Sequence, residues 1–351
     1  MLFVRAALLL ASALIACSSA EKEESLAYDT GVGGDTSTGD GASDLGTADG
    51  TSFEPDALPP TDAIAPASTK IYANTDKDLY QMDPATKAVT KIGSFVSSAG
   101  AALPDTMTDV AVNADGKLWA CSVGKVFELA LPASGTGDVV ATQRVSIPSG
   151  LRFYALAFAP KGVLGPNEEL IGGDAAGDIY WIPATGAPTK IGGFGTVVAG
   201  DPGLGAAGNF WQLSGDIAFF LNDGAPVGLA TLRPCTTDGD PNSCKNGNDV
   251  VVEIDVAALS KKSATSNLKK RFIGAAGTGF GRLYGVGAWG DKVYAFQRVT
   301  TSAGTSTALL VEVSLADGKG TMVKDFPEVA AAKNGWSGAG VTTSAKVFIP
   351  K

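Results

Sequence analysis

From Lys70 onward, short apolar runs alternate with turn-forming residues. The runs KIYAN, LYQMD, VTKIGSF, DVAVN, KLWACS, VFELAL and ATQRVS follow one another closely. They are rich in Val, Ile, Phe, Tyr and Trp, which favour strands, and are separated by Gly, Pro, Asp and Asn. The pattern contains no convincing amphipathic helix. Regularly spaced short strands predict an all-β fold, which is a sandwich, a barrel or a propeller.

An internal repeat favours the propeller among these three. The segment DLYQMDPATKAVTKIGSF at 78–95 reappears as DIYWIPATGAPTKIGGF at 178–194. Small apolar runs also recur, as DVAV at 109, ALAF at 155, DIAF at 216, GVGA at 285 and AGVT at 339. The first four lead into the further strands KLWAC, ELIGG, VGLATL and KVYAF, and the last leads into KVFIP. Spacings of 46, 61, 69 and 54 residues suit four-stranded units with variable loops.

This cycle resembles bacterial β-propellers of the NHL, quinoprotein-like and YVTN kind over residues 70–351. In those families the innermost strand of each blade carries small apolar residues, and an Asp-Gly turn often joins it to the next strand, as Asp115-Gly116 does before KLWAC. Five innermost strands predict five blades, with six or seven as alternatives. If the termini close the ring, KVFIP shares a blade with LYQMD and VTKIGSF, and KIYAN becomes a surplus strand.

The chain begins with features of an export signal. One cation, Arg5, precedes an apolar run of 11 residues from Ala6 to Ala16, which is too short to span a bilayer. The run ends in Leu-Ile-Ala-Cys, which resembles the lipobox of bacterial lipoproteins. That resemblance implies a signal peptide over residues 1–16 and a lipid on Cys17. The alternative is an ordinary exported protein with a chance cysteine.

Residues 17–69 read as a disordered acidic tether that follows the lipidated Cys17. They are rich in Gly, Ser, Thr, Asp and Pro and cannot bury enough apolar surface to become ordered. In lipoproteins, the pair Ser18 and Ser19 after the lipidated cysteine implies the outer rather than the inner membrane. We therefore expect a cell-envelope protein that is anchored to the membrane by its lipid, with a propeller domain over residues 70–351.

The formal net charge of −9 is concentrated in this tether. Residues 21–69 hold 11 carboxylates and one cation, whereas residues 70–351 hold 25 acidic and 25 basic side chains. A neutral domain lacks the clustered Lys and Arg that nucleic acid requires, so we expect no nucleic-acid partner. The sequence also contains no His, which excludes Ser-His-Asp and Cys-His catalysis and imidazole zinc sites.

The cysteines of the propeller differ in their surroundings. Cys121 lies in KLWACS, where both faces of the strand are apolar, and this indicates a buried free thiol. Cys235 and Cys244 lie in the polar loop PCTTDGDPNSCKNGND. An exported protein meets an oxidising compartment, so we expect these two residues to form a local disulfide.

The same loop carries the one metal hypothesis in the sequence, and no other cofactor is expected. Oxygen-bearing side chains occupy positions 1, 3, 5, 9 and 12 of a twelve-residue window, as in a calcium loop of the EF-hand type: Asp238, Asp240, Asn242, Asn246 and Asp249. Ser243 replaces the usual Gly, Asp249 replaces the bidentate Glu, and flanking helices are absent from the pattern. The alternative is a loop held by its disulfide without calcium.

Candidate ligand-binding residues lie where loops lead into the innermost strands. Arg and aromatic side chains there could hold an acidic, sugar or peptide ligand by forked hydrogen bonds and stacking: Arg152, Tyr154, Trp211, Arg282, Tyr284 and Trp336. Asp109 and Asp216 begin two innermost strands and form a candidate acid–base pair. Alternatively, the aromatic residues pack between blades, the arginines brace loops, and the aspartates accept backbone N–H bonds.

Three classes of function remain. The first is a non-catalytic binding or scaffolding propeller, monomeric and displayed on the envelope, with an envelope protein, a peptide or a glycan as partner. The second is a hydrolase or lyase that uses carboxylates or calcium on a glycan or lactone. The third is a purely structural component of an envelope assembly. Because no motif in the sequence requires chemistry, the first class is preferred.

Overall fold

The computed structural model describes residues 70–245, 248–300, 306–333 and 335–348. These residues form strands joined by turns, with two short helices and one 3₁₀ turn. The strands are β1 Ile71–Asn74, β2 Asp78–Met82, β3 Val89–Ser97, β4 Met107–Val112, β5 Leu118–Ser122, β6 Lys125–Ala130, β7 Val139–Ser146, β8 Phe153–Ala159, β9 Glu169–Asp174, β10 Asp178–Ile182, β11 Thr189–Gly193, β12 Phe210–Asn222, β13 Ala225–Cys235, β14 Val250–Ile254, β15 Lys269–Ala275, β16 Leu283–Trp289, β17 Lys292–Thr300, β18 Ser306–Val313, β19 Gly320–Asp325 and β20 Gly338–Val341. The helices are α1 Val256–Leu259 and α2 Pro327–Lys333, and the 3₁₀ turn is Pro241–Ser243.

The strands are arranged in four-stranded antiparallel units. In chain order, the units are β4 to β7, β8 to β11, β12 to β15, and β16 to β19. A further unit combines β20 with β1, β2 and β3, so that strands from the two ends of the domain pair side by side. The outer strands β3 and β7 also pair in parallel, which joins two units into one eight-stranded sheet.

The first strands of these units form a closed ring. β4 packs against β8, β8 against β12, β12 against β16, β16 against β20, and β20 against β4. Four-stranded units around a common axis are a β-propeller, as the sequence predicted. Each of the five small apolar runs lies in one of these inner strands.

Small residues are required in the inner strands because neighbouring backbones approach closely. A Cβ atom on Gly215 would lie 2.3 Å from the Cα of Tyr284, and one on Gly285 would lie 2.5 Å from the backbone N of Ala339. Larger side chains at these positions would push the strands apart. The small-residue signature in the sequence therefore reflects crowding at the axis.

The internal repeat corresponds to the two outer strands of two units, β2–β3 and β10–β11. Asp78 lies opposite Ser94 and Asp178 lies opposite Gly193, and both pairs of strands have a register shift after the second residue. Each aspartate also forms an ion pair with the lysine of the partner strand, Lys91 at 3.0 Å and Lys190 at 2.5 Å. The repeated sequence thus encodes the same hairpin twice.

The closure of the ring differs from the sequence-based expectation. KIYAN is not a surplus strand, because it forms β1 and pairs along its length with β20, Ala73 opposite Ala339. The segment KVFIP does not take that place. Its first residues instead make isolated parallel bridges to two other units, Lys346 with Leu221 and Val347 with Gly290. Because β1 already fills the second position of the unit, the chain after β20 crosses to neighbouring strands.

The core lies between neighbouring units rather than in one central layer. Leu118, Ala120 and Cys121 in β5 are all buried, as expected of a strand with two apolar faces, and Cys121 is a free thiol. Among the residues that the structure describes, no helix is long and apolar enough to cross a membrane. The proposed signal peptide, Cys17 and the tether lie outside the described residues.

Candidate functional site

A pocket of about 330 Å³ lies at the end of the axis where the chain enters the inner strands. We call this the open end. β4, β8 and β16 each contribute their second residue to the pocket wall: Thr108, Tyr154 and Tyr284. β12 contributes Ser214 at the register shift within this strand, and Ser337 lines the wall immediately before β20. Apolar side chains, including Met107 and Leu213, complete the wall. The volume lies within the range of small-molecule sites.

One side of the pocket carries an internally paired charged group. The guanidinium of Arg298 stacks over the ring of Tyr284, with its Cζ 4.7 Å from the ring centroid. Arg298 Nη1 lies 3.7 Å from Asp76 Oδ1, and the Ser337 hydroxyl donates to the same oxygen at 2.6 Å. The charge of Arg298 is therefore already opposed by a carboxylate within the wall.

Another side of the pocket carries Arg233, which is only 8% exposed. The nearby buried carboxyl of Asp249 accepts hydrogen bonds from the Ser214 hydroxyl and from the backbone N of Leu283 at 2.9 Å. Burial raises the pKa of Asp249, and these hydrogen bonds together with the charge of Arg233 act in the opposite direction. The side chain of Arg233 forms no hydrogen bond or ion pair with the described residues.

Asp109 and Asp216 lie in inner strands and are fully buried. Asp109 accepts from the backbone N of Val110 at 2.8 Å and from that of Leu156 in β8 at 2.6 Å. Asp216 accepts in the same way from Ile217 at 2.5 Å and from Val286 in β16 at 2.6 Å. Each carboxyl thus joins its own inner strand to that of the next unit.

The two carboxyl groups also meet each other. Burial raises the pKa of both well above its ordinary value, and for Asp109 the charge of Asp216 and a hydrogen bond to it act in the same direction. Two carboxyl groups in such contact favour a state that holds one proton between them. The structure therefore brings the two aspartates together, in an arrangement that favours sharing of one proton, although neither lines the pocket.

Only part of the predicted ligand-binding set lies on the pocket. Tyr154 and Tyr284 line it, as described above. Arg152 is exposed, two residues before Tyr154, and is not part of the wall. Arg282 has a left-handed backbone, with φ 58°, and its carbonyl accepts a bond from the backbone N of Arg298 at 3.2 Å. Neither of these two predicted arginines lines the pocket, whose wall contains Arg233 and Arg298.

The two predicted tryptophans are also corrected, because both are fully buried in the packing between strands. Trp211 donates from Nε1 to Asp201 Oδ2 at 3.1 Å and packs against Phe272. Trp336 makes edge-to-face contacts with three aromatic rings, those of Tyr80, Phe296 and Phe326. The large apolar side chains of these two tryptophans therefore stabilise the packing of the propeller.

Sequence reasoning did not identify Arg233 and Arg298. It considered residues that lead into the inner strands, whereas these arginines lie in the second strands β13 and β17. A signal is visible in retrospect, because each is a lone cation near the end of a largely apolar strand, in VGLATLRPC and KVYAFQRVT. A cation in such a strand needs either a partner or a pocket.

The loop after β13 contains the expected disulfide between Cys235 and Cys244. The calcium arrangement is not assembled in the described residues, which contain no group of three or more acidic, Cys or His side chains able to hold a metal. Asp240 Oδ1 accepts from the backbone N of Asn242 at 2.9 Å and caps the 3₁₀ turn. Asp249 is buried and accepts from Ser214 and Leu283 instead, Asp238 is exposed, and Asn246 lies outside the described residues.

No family model and no curated protein matches the chain. Among solved structures, a Bacteroides caccae protein of unknown function is 10% identical, with 78% of this chain and 98% of that chain covered and a TM-score of 0.33. The calcium-binding protein regucalcin from Agrobacterium tumefaciens is 17% identical, with 71% of this chain and 66% of that chain covered and a TM-score of 0.33.

A third similar structure is virginiamycin B lyase from Staphylococcus aureus, which is 11% identical, with 73% of this chain and 66% of that chain covered and a TM-score of 0.30. Identities and TM-scores this low carry no functional argument, so the function must be argued from the site.

Proposed function

We propose that the protein is a non-catalytic binding propeller, displayed on the bacterial cell envelope by a lipid on Cys17, that holds a small ligand at its open end. The pocket of about 330 Å³ on the axis carries this proposal, because residues in or immediately before each inner strand contribute to its wall. A site built from all units is preformed by the fold itself. The lipid anchor rests on the resemblance of the sequence around Cys17 to a lipobox.

The bonding of the wall supports binding rather than chemistry. The Thr108 hydroxyl donates to the backbone O of Phe153 at 3.0 Å, and those of Ser214 and Ser337 donate to Asp249 and Asp76. Hydroxyl groups held in this way position the wall and are poorly placed to act as nucleophiles. Preorganised polar groups around an apolar floor are typical of binding pockets.

Filling the pocket tests its role in binding. Val123 lines the pocket and is 40% exposed, so a Val123→Trp variant should obstruct the site without disturbing the core. Leu131 is also 40% exposed but is not part of the wall, which makes Leu131→Trp the matched control. Both variants are screened by thermal shift against small sugars, sugar acids, organic acids and neutral metabolites.

We expect at least one compound to stabilise the wild type and Leu131→Trp and to lose this effect in Val123→Trp. If no compound distinguishes the two variants, the pocket is not the binding site. Affinity purification of the full-length lipidated protein from solubilised envelopes then tests the structural alternative, since a partner retained in fixed stoichiometry would indicate an assembly component.

The anchor is tested by labelling cells with a fatty-acid analogue. The wild type should incorporate the label and sediment with the envelope, whereas Cys17→Ser should do neither. Cys121→Ser is the control, because this buried thiol is not a lipidation site and its variant should keep the label. Labelling of Cys17→Ser equal to that of the wild type would refute the anchor.

An enzymatic function is the second candidate, and the buried pair of Asp109 and Asp216 favours it. A hydrolase or lyase acting on a glycan or lactone would use this pair as acid and base. Hydrolysis of glucono-δ-lactone, measured with and without EDTA, tests this alternative together with the proposed calcium requirement. Lactone hydrolysis that the wild type catalyses and Asp109→Asn does not would favour an enzymatic function. A wild-type rate equal to the uncatalysed rate would count against an enzymatic function.

A further inference from the structure

The guanidinium of Arg233 is a buried polar group of the pocket wall that has no hydrogen-bond partner among the described residues. The residue is 8% exposed, so more than nine-tenths of its surface is removed from water. Its Nε is buried and has no hydrogen-bond partner, and the side chain forms no ion pair with any described residue. An arginine keeps its charge under all ordinary conditions, so this is a buried cation.

Other polar groups of the wall are already engaged. Arg298 is opposed by Asp76 and stacks on Tyr284, and the Ser337 hydroxyl donates to the same carboxylate. The Ser214 hydroxyl donates to Asp249, and the Thr108 hydroxyl donates to the backbone O of Phe153. These groups are bonded to other groups of the protein, whereas the guanidinium N–H groups of Arg233 have no acceptor among the described residues.

The buried carboxyl of Asp249 does not supply the hydrogen bonds that the guanidinium of Arg233 lacks. Asp249 lowers the electrostatic cost of the cation, but it accepts from Ser214 and Leu283 and lies beyond ion-pair distance of the guanidinium. Burying a charge without hydrogen bonds is strongly unfavourable, and one partner that restores them is an anion in the adjoining cavity. A guanidinium is suited to this task because its planar fork donates two parallel bonds to a carboxylate or phosphate.

We propose that the pocket binds a small organic oxyanion whose carboxylate or phosphate group accepts hydrogen bonds from Arg233. The body of the ligand lies against Tyr154, Met107 and Leu213, which form the neighbouring wall. This inference rests on the proposed binding function and adds to it the chemical class of the ligand. It also replaces Arg152 and Arg282, which the sequence suggested for an acidic ligand, by Arg233.

The probes are sodium acetate and inorganic phosphate, titrated separately at constant ionic strength and followed by NMR of the Arg233 Nε–Hε group and the backbone amide of Ser214. Acetamide is the uncharged counterpart of acetate. We expect saturable shifts with at least one anion and none with acetamide. A response to acetate alone identifies a carboxylate ligand, a response to phosphate alone identifies a phosphate ligand, and no saturable response to either overturns the proposal.

Two variants of Arg233 distinguish the contribution of its positive charge to anion binding from that of its forked donor geometry. Arg233→Met should weaken the binding of the responding anion at least about tenfold, as read from the Ser214 amide, because charged hydrogen bonds are lost. Arg233→Lys keeps the charge without the fork and should fall between Arg233→Met and the wild type. Arg144→Met is the control, since Arg144 is exposed and paired with Glu128, and should bind as the wild type does.

Failure of this inference differs from failure of the proposed function. A neutral compound that Val123→Trp blocks and Arg233→Met leaves unchanged would keep the binding function and refute the oxyanion. Undiminished anion binding in a folded Arg233→Met would also refute it, with a native amide spectrum as proof of folding. If Arg233→Met does not fold, Arg233→Lys decides, because unchanged affinity in that variant would exclude a forked contact.

Discussion

The two ends of the propeller axis are built from the same inner strands but differ in character. At the open end, Thr108, Tyr154, Ser214 and Tyr284 from four of these strands line a pocket of about 330 Å³. Toward the other end, which we call the closed end, four of these strands line a cavity of only about 10 Å³, and Phe219 is part of its lining. Different parts of the same inner strands thus line the two ends, and the two ends therefore differ in composition.

This difference suggests that the two ends of the axis have separate roles, with the closed end contributing stability and the open end contributing binding. The closed end is packed like a protein interior, and packing of this kind supplies folding free energy. The open end keeps space, hydroxyl groups and a buried cation, none of which favours folding by itself. Between the ends, Asp109 and Asp216 connect neighbouring strands by backbone hydrogen bonds. Function is therefore expected at the open end.

The largest expected loss of stability comes from truncating a large buried side chain at the closed end. Phe219 is 2% exposed, so Phe219→Ala should lower the free energy of unfolding by about 3–5 kcal/mol through lost burial and a cavity. The matched change at the open end is Val123→Ala, which should stay within about 0.5 kcal/mol. Urea denaturation measures both, and similar losses at the two ends would break the comparison.

Loss of the disulfide beside the open end should have the second-largest effect on the free energy of unfolding. Pro241 in the loop closed by Cys235 and Cys244 lines the pocket. Replacing both cysteines by Ala should cost about 2–3 kcal/mol, because the unfolded chain is then less restricted. The control is the wild type unfolded under reducing agent, which should match the double variant. An unfolding curve that the reducing agent does not move would show that the loop is held by its other contacts.

The aspartate pair between the ends should make stability depend on pH. An unfolded carboxyl titrates near pH 4, and the native pair titrates well above that value. The native state therefore binds more protons, and stability should fall as the pH rises from about 4 through the native pKa. Asp109→Asn should cost about 1–2 kcal/mol at pH 5, where one backbone N–H loses its acceptor, and should reduce the fall between pH 5 and 8.

Urea midpoints at pH 5 and pH 8 test this prediction. Asp174, whose pKa burial raises to about 6, and Asp249 act in the same direction, so some slope should remain in the variant. The exposed Asp317, whose pKa its hydrogen bond with Lys319 lowers to about 2, is ionised throughout this range, and Asp317→Asn should leave the slope unchanged. Parallel slopes for the wild type and Asp109→Asn would contradict the shared proton.

The smallest expected effect is the loss of one hydroxyl from the pocket. Tyr154 is half-buried in the wall, and Tyr154→Phe should change the free energy of unfolding by less than about 0.5 kcal/mol. Tyr180→Phe is the control, because that hydroxyl donates to Asp174 at 3.1 Å and its removal should cost about 1 kcal/mol. Thermal unfolding compares the two, and a larger loss for Tyr154→Phe would assign its hydroxyl a structural role.

Several features of the molecule were predictable because they depend on local sequence. Strand composition, the repeated hairpin at 78–95 and 178–194, and the five small apolar runs indicated a propeller, and the structure contains the corresponding sheets. The disulfide and the burial of Cys121 were predictable from the polarity of their surroundings. The signal peptide, the lipid on Cys17 and the envelope location stay predictions.

The pocket was predictable only in part. Tyr154 and Tyr284 lie near the beginning of inner strands, where the sequence suggested ligand-binding residues, and both line the pocket. Trp211 and Trp336 were misplaced because a large aromatic ring beside a strand suits either a ligand or a neighbouring blade, and their sequence does not distinguish the two. The ring contacts around Trp336 show which use the fold makes of it.

The sequence by itself determined the strands, their repetition and the small residues at the axis, since these follow from periodicity and from steric limits on neighbouring backbones. Tertiary structure alone decided that β1 rather than KVFIP closes the ring. It also decided that Arg233 faces a cavity without a partner and that Asp109 meets Asp216. These outcomes depend on distances between residues that are far apart in the chain, and local patterns of polarity carry no information about such distances.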